Sequence, residues 1–127
     1  MGSVDRLGRP LVRVGLKDTN DDFLALVDTG FNGDLMMSDT TAGSLKVSLS
    51  NAIVCVELGN GQLENVRNGA LDIVWLGAER RARVLVCPTW GSPASDAPIA
   101  LLGTSLLRPH LLLVDFSADT LEIESQE

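Results

Sequence analysis

The sequence has 127 residues, 45% of them hydrophobic and 21% charged, with a formal net charge of −7. That length fits a single domain, 1–127, with a core large enough to fold without a disulfide or a metal. The acidic balance excludes a nucleic-acid partner, because phosphate recognition needs clustered Lys and Arg.

Taken in chain order, the dominant hydrophobic period is two, which predicts strands. Over Leu11–Lys17, Val12, Val14 and Leu16 face one way while Arg13, Gly15 and Lys17 face the other. Asp18-Thr19-Asn20-Asp21 supplies turn residues. Phe23–Asp28 is apolar until its last residue and reads as a strand buried on both faces. Leu35-Met36-Met37 is a short apolar piece, and Ser38 caps a short helical turn reaching Leu45. Ile53–Leu58 alternates again, and Gly59-Asn60-Gly61 is a tight-turn signal.

Leu63–Leu76 predicts a long strand, and Gly77-Ala78-Glu79 turns the chain into Arg83–Cys87. Arg80, Arg81 and Arg83, the one basic cluster, follow that turn and read as a solvated surface. Pro88–Pro98 is a loop, and Ile99–Leu102 a further apolar strand ending at Gly103. Thr104–Arg108 predicts one short helix, stopped before Pro109. Leu111–Phe116 and Leu121–Glu124 form a closing hairpin. About eight short strands with scarce helix predict an all-β barrel or sandwich. The domain core is expected over residues 10–124.

Cys55 and Cys87 are too few for a disulfide framework, and no CxxC or His/Cys cluster predicts a metal site or cofactor. His110, the single histidine, is read as structural. The N-terminus lacks a charged-then-apolar signal pattern, and the run Leu111–Val114 is far too short to span a bilayer. A soluble, cytoplasmic protein with no membrane partner is expected.

One segment carries chemistry. Leu24-Ala25-Leu26-Val27-Asp28-Thr29-Gly30 ends a buried strand on a carboxylate. An ionised carboxylate in an apolar setting is costly unless hydrogen-bonded or paired. Thr29 offers a hydroxyl nearby, and Gly30 is expected to let the backbone come close and take angles other residues avoid. A strand running into an ordinary Asp-Thr-Gly turn would give the same three letters.

A second element, Ile99-Ala100-Leu101-Leu102-Gly103-Thr104-Ser105-Leu106-Leu107, follows about 70 residues later. Together the two resemble the retroviral aspartic protease family and its bacterial single-domain relatives. The resemblance spans about Pro10–Phe116 and implies a closed acid-protease barrel with one short helix in its second half. It implies catalytic roles for Asp28, with Thr29 bonding across to a partner loop and Gly30 accommodating substrate backbone. It places Leu58-Gly59-Asn60-Gly61 at the tip of a flap over the substrate. Phe31-Asn32-Gly33 would shape the cleft, and Ile99, Ala100 and Leu101 would line its side pockets.

An aspartic peptidase needs two facing carboxylates that share one proton. This chain has one Asp-Thr-Gly; Asp72 and Asp115 precede neither Thr-Gly nor Ser-Gly. The resemblance therefore implies a symmetric homodimer, acting on a peptide or protein substrate without cofactor. Two other functions are open to these residues, of which the binding or scaffold domain is the serious rival, because the sequence barely separates it from an active enzyme. Asp28 as a phosphoryl acceptor lacks a neighbouring lysine or further acids. A dimeric binding or scaffold domain that has lost turnover would not need Asp28, Thr29 and Gly30 intact.

Overall fold

The computed structural model describes residues 2–57, 61–88 and 98–125. Its ten strands are β1 (Gly2–Val4), β2 (Pro10–Leu16), β3 (Asp22–Val27), β4 (Leu35–Met37), β5 (Ser48–Glu57), β6 (Leu63–Trp75), β7 (Ala78–Val86), β8 (Ala100–Leu102), β9 (Leu111–Asp115) and β10 (Thr120–Glu124). The helices are α1 (Asp39–Ser44) and α2 (Thr104–Leu107). Neither is long and apolar enough to cross a membrane.

All ten strands belong to one sheet, in the order β5-β6-β7-β4-β8-β3-β2-β1-β10-β9. A further antiparallel pairing, Gly15↔Val74 and Leu16↔Ile73, joins β2 to β6 and closes six of the strands into a barrel. The all-β barrel expectation therefore holds, with two strands more than the hydrophobic pattern gave. One is β4, too short to show a period. The other is β1, outside the expected core, which is sandwiched between β2 and β10.

The barrel interior follows from strand alternation, since neighbouring residues point to opposite faces. Val12 and Val14 of β2, Phe23, Ala25 and Val27 of β3, and Ile73 and Trp75 of β6 all enter the main core. β3 is thus not equally buried on both sides: Leu24 and Leu26 are only half-buried. On the other face of the same sheet, Met36, Val66, Cys87 and Leu101 form a second apolar cluster. Leu26, Phe31, Val54, Val56 and Leu85 pack against it.

The turn between β6 and β7 is tighter than the sequence suggested. Trp75 pairs directly with Ala78, and the two residues between them, Leu76 and Gly77, both have positive φ (51° and 82°). Positive φ at both central positions is the two-residue hairpin turn that matches strand twist. Leu76 is an unfavourable residue for that conformation, and its packing against the main core offsets the strain. Arg80 and Arg81 consequently lie in β7 rather than beyond a turn, and Arg81 pairs with Asp72 at 3.1 Å.

Trp75 also locks the barrel to α2: its Nε1–H donates to the carbonyl of Leu106 at 3.0 Å, in a buried setting. Trp75→Phe leaves that carbonyl without its partner. We expect a loss of about 1–3 kcal/mol in stability, read as a lower denaturant midpoint at unchanged slope.

Candidate active site

Asp28 follows β3 directly. Its backbone N–H donates to Leu102 O at 2.9 Å, which extends the parallel β3–β8 ladder (Ala25↔Ala100, Leu26↔Leu101, Val27↔Leu102) by one residue before the loop begins. The carboxylate is half-buried, and its Oδ1 accepts the Gly30 N–H at 2.9 Å. The loop turns back through a Phe31 N–H to Asp28 carbonyl bond of 3.2 Å. Thr29 and Gly30 are exposed. No hydrogen bond of the Thr29 hydroxyl occurs among the described residues.

Of the two purposes expected from sequence for the glycine at position 30, close approach and unusual backbone angles, the structure shows only the first. Its φ lies outside the left-handed region. A Cβ there would stand 3.2 Å from Asp28 Oδ1, so the missing side chain makes room for the carboxylate to reach the amide.

The rest of the loop is held from α2. Thr104 donates to Phe31 O through its N–H at 2.8 Å and through its hydroxyl at 3.3 Å, and the Ser105 N–H donates to Gly33 O at 3.3 Å. The first amides of a helix have no partner within it. Here no capping side chain serves them, because the N-cap is Gly103; the loop carbonyls do. Gly103 is obligatory for that approach, since a Cβ would land on the carbonyl oxygens of Gly33 and Phe31, 2.5 Å from the latter. Gly33 differs: a Cβ there would sit 2.6 Å from the tip of the Phe31 ring, a side chain that would have to shift to admit it.

Asp34 is a second anchor that the sequence reading did not single out. Its Oδ2 accepts the Arg83 N–H at 2.9 Å, and its backbone carbonyl accepts the Gly103 N–H at 2.9 Å. It therefore ties the loop to β7 and to the end of β8 together. Its Oδ1 is buried and has no hydrogen-bond partner among the described residues. The signal available in sequence was a carboxylate immediately before the apolar run Leu35-Met36-Met37.

The other residues named from sequence are distributed unevenly. Phe31 is half-buried against the second apolar cluster, next to Met36 and Leu101, while Asn32 is exposed. Of the three residues around β8, Leu101 lies on that same face. Ala100 is fully buried in the main core on the opposite face, and Ile99 packs against that core too. Leu58, Gly59 and Asn60 lie outside the described residues; Gly61 is exposed, with φ of 82°. Met36, Val66, Leu85 and Cys87, which share the Phe31 face, were not named, because period two says which residues share a face but not what that face meets.

No family model matches the sequence, and no curated protein matches it. Solved structures do. A retropepsin-like aspartic protease from Rickettsia conorii is 22% identical, with a TM-score of 0.65 over 97% of this chain and 86% of that one. The EIAV protease, solved in complex with the inhibitor HBY-793, is 20% identical, with a TM-score of 0.56 over 79% of this chain and 86% of that one. These likenesses are of fold: the chain is built on the retropepsin-like barrel.

Proposed function

We propose that this retropepsin-fold chain is an aspartic endopeptidase whose active site forms when the Asp28 loops of two copies meet at a two-fold axis. The observation that carries the reading is the state of Asp28. It is a half-buried carboxylate on a loop fixed by β8 and α2, with one oxygen bonded to the Gly30 amide. Thr29 beside it is exposed and its hydroxyl is not bonded within the described chain. Both fit a surface completed from outside.

The chemistry needs the second carboxylate. A single positioned acid or base contributes roughly 10²–10⁴-fold, whereas enzymes reach about 10⁶-fold or more. Two carboxylates in contact cannot both ionise and so share one proton. The ionised Asp28 takes a proton from a water molecule as its oxygen bonds to the peptide carbonyl carbon. The protonated Asp28 of the other copy gives its proton to the carbonyl oxygen, so the tetrahedral intermediate forms without net charge. In the second step a proton passes to the amide nitrogen, the C–N bond breaks, and a hydroxyl proton of the intermediate returns to the dyad. In this reading Thr29 holds the two loops in register, Gly30 leaves room for substrate backbone, and the apolar face around Phe31, Met36 and Leu101 receives substrate side chains. The hairpin of β5 and β6 lies over the substrate.

A statine-type inhibitor tests this directly, because its hydroxyl occupies the place of the attacking water between the two acids. At a hundredfold excess over its Kd, it should stabilise the protein by about 2.7 kcal/mol, raising Tm by several degrees. An unchanged Tm at saturating inhibitor would count against an assembled dyad.

A further inference from the structure

The strand register orders the apolar face beside Asp28. Leu26 pairs with Leu101, Leu101 with Met36, and Met36 with Leu85. These four side chains make one row across β3, β8, β4 and β7, and all four belong to the second apolar cluster. Strand residues two apart share a face, so the next row toward the loop starts at Asp28 and crosses β8 at Gly103. The backbone bonds agree. The Asp28 N–H donates to Leu102 O at 2.9 Å, and the Gly103 N–H donates to Asp34 O at 2.9 Å. Neighbouring strands are about 4.8 Å apart. Gly103 therefore stands one strand spacing from Asp28, and it brings no side chain to that row.

The Phe31 ring takes the space. A Cβ on Gly103 would lie 2.6 Å from Phe31 Cδ2, and one on Gly33 would lie 2.6 Å from Cζ and 3.0 Å from Cε1. One edge of the ring thus rests on Gly103 and its tip on Gly33. The backbone beneath it is held at both ends: the Phe31 N–H donates to Asp28 O, and Phe31 O accepts twice from Thr104. The ring packs on the second apolar cluster yet is only half-buried, so part of it stays open. A ring fixed beside Asp28 and open on one side is a wall to anything laid along this face.

We propose that Phe31 is a specificity-determining residue: its ring fills the part of the apolar face nearest Asp28 and excludes bulky substrate side chains close to the scissile bond. This rests on the peptidase reading above and sets a limit on its substrates. Small side chains clear the ring, and aromatic ones collide with it. Beyond the ring, the row of Leu26, Leu101 and Met36 is left for apolar side chains, so the filter acts at one position per copy. Two equivalent copies place it once on each side of the scissile bond. Among the described residues the cluster contains no charged side chain, so selection here is by size and not by charge. A misfit of one methylene in an apolar pocket changes discrimination about 10–200-fold, and a phenyl ring is larger than that.

Cleavage of a peptide library, with the products read by mass spectrometry, tests the filter. Wild type should disfavour Phe, Tyr and Trp at one position on each side of the cleaved bond, by at least about tenfold relative to Ala and Val. Phe31→Ala should admit those aromatics and shift the aromatic-to-small ratio of kcat/KM at least about tenfold. Phe31→Leu should fall between, and it serves where Phe31→Ala does not fold. A merely structural role would lower all peptides together and leave the ratio alone. Phe116→Ala, at a 61% exposed phenylalanine in the turn after β9, should keep the wild-type ratio. Melting gives a readout apart from activity. Gly33→Ala should lower Tm in wild type, where the new methyl meets the ring, and lower it less in Phe31→Ala. If wild type accepts aromatics as readily as Ala, if the Phe31 variants keep its ratio, or if Gly33→Ala costs the same in both backgrounds, the filter is refuted and the dyad reading stands. If neither wild type nor any variant cleaves a peptide, the filter and the dyad reading fall together.

Discussion

Asp28→Asn is expected to abolish peptide cleavage, lowering it by about 10³-fold or more, while leaving the fold and the dimer intact. Asn keeps the shape of the carboxylate, and its side-chain oxygen still accepts the Gly30 amide that Asp28 Oδ1 accepts at 2.9 Å. What it loses is the shared proton, on which both steps depend. The measurement is cleavage of a peptide library at about pH 4 to 7, followed by mass spectrometry. Mixing sharpens it. If each dimer needs two aspartates, an equal mixture of wild type and Asp28→Asn leaves only about one quarter of randomly assorted dimers competent. A site complete in one chain would keep about half the activity of the mixture. Equal cleavage by the pure variant and wild type would remove Asp28 from the mechanism.

Gly103→Ala is expected to be among the most damaging single-methyl additions in the molecule. The new Cβ would meet the carbonyl oxygens of Phe31 and Gly33, both of which accept hydrogen bonds from the start of α2. Backbone oxygens on a loop anchored by β8, α2 and Asp34 cannot retreat as a flexible side chain can. We expect a loss of about 3 kcal/mol or more and a fall in Tm of roughly 10 °C. Gly43→Ala in α1 is the matched control. Nothing lies within 4 Å of its Cβ position, and Ala is the better helix former by about 1 kcal/mol. If the two variants melt together, the steric account of Gly103 is wrong. A Gly103→Ala protein that remains folded should also lose cleavage, since the Asp28 loop must move to admit the methyl.

The candidate site was legible in sequence to the extent that it is local. A carboxylate ending an apolar strand is improbable without cause, and Asp28 stood out on that ground. The role of Gly103 could be suspected from its place between an apolar strand and a short helix. Asp34 was missed because its partners, Arg83 and Gly103, lie 49 and 69 positions away, and nothing in a linear pattern couples them. Gly30 was singled out for two reasons, a close approach and a special φ, and the structure shows the first without the second.

Period-two alternation by itself determined the strands from β2 onward other than β4, and with them the all-β class, while the cap at Ser38 and the stop at Pro109 marked the two short helices, because each depends on neighbours a few residues apart. The residue pattern also determined that one chain brings a single Asp-Thr-Gly. Only the tertiary structure decided that β1 belongs to the sheet, that β2 meets β6 to close the barrel, and that Ala100 faces one core while Leu101 faces another. Those are pairings between distant segments. Their stability comes from burying apolar faces against each other, and a strand's own sequence records that it has such a face, not which strand will cover it.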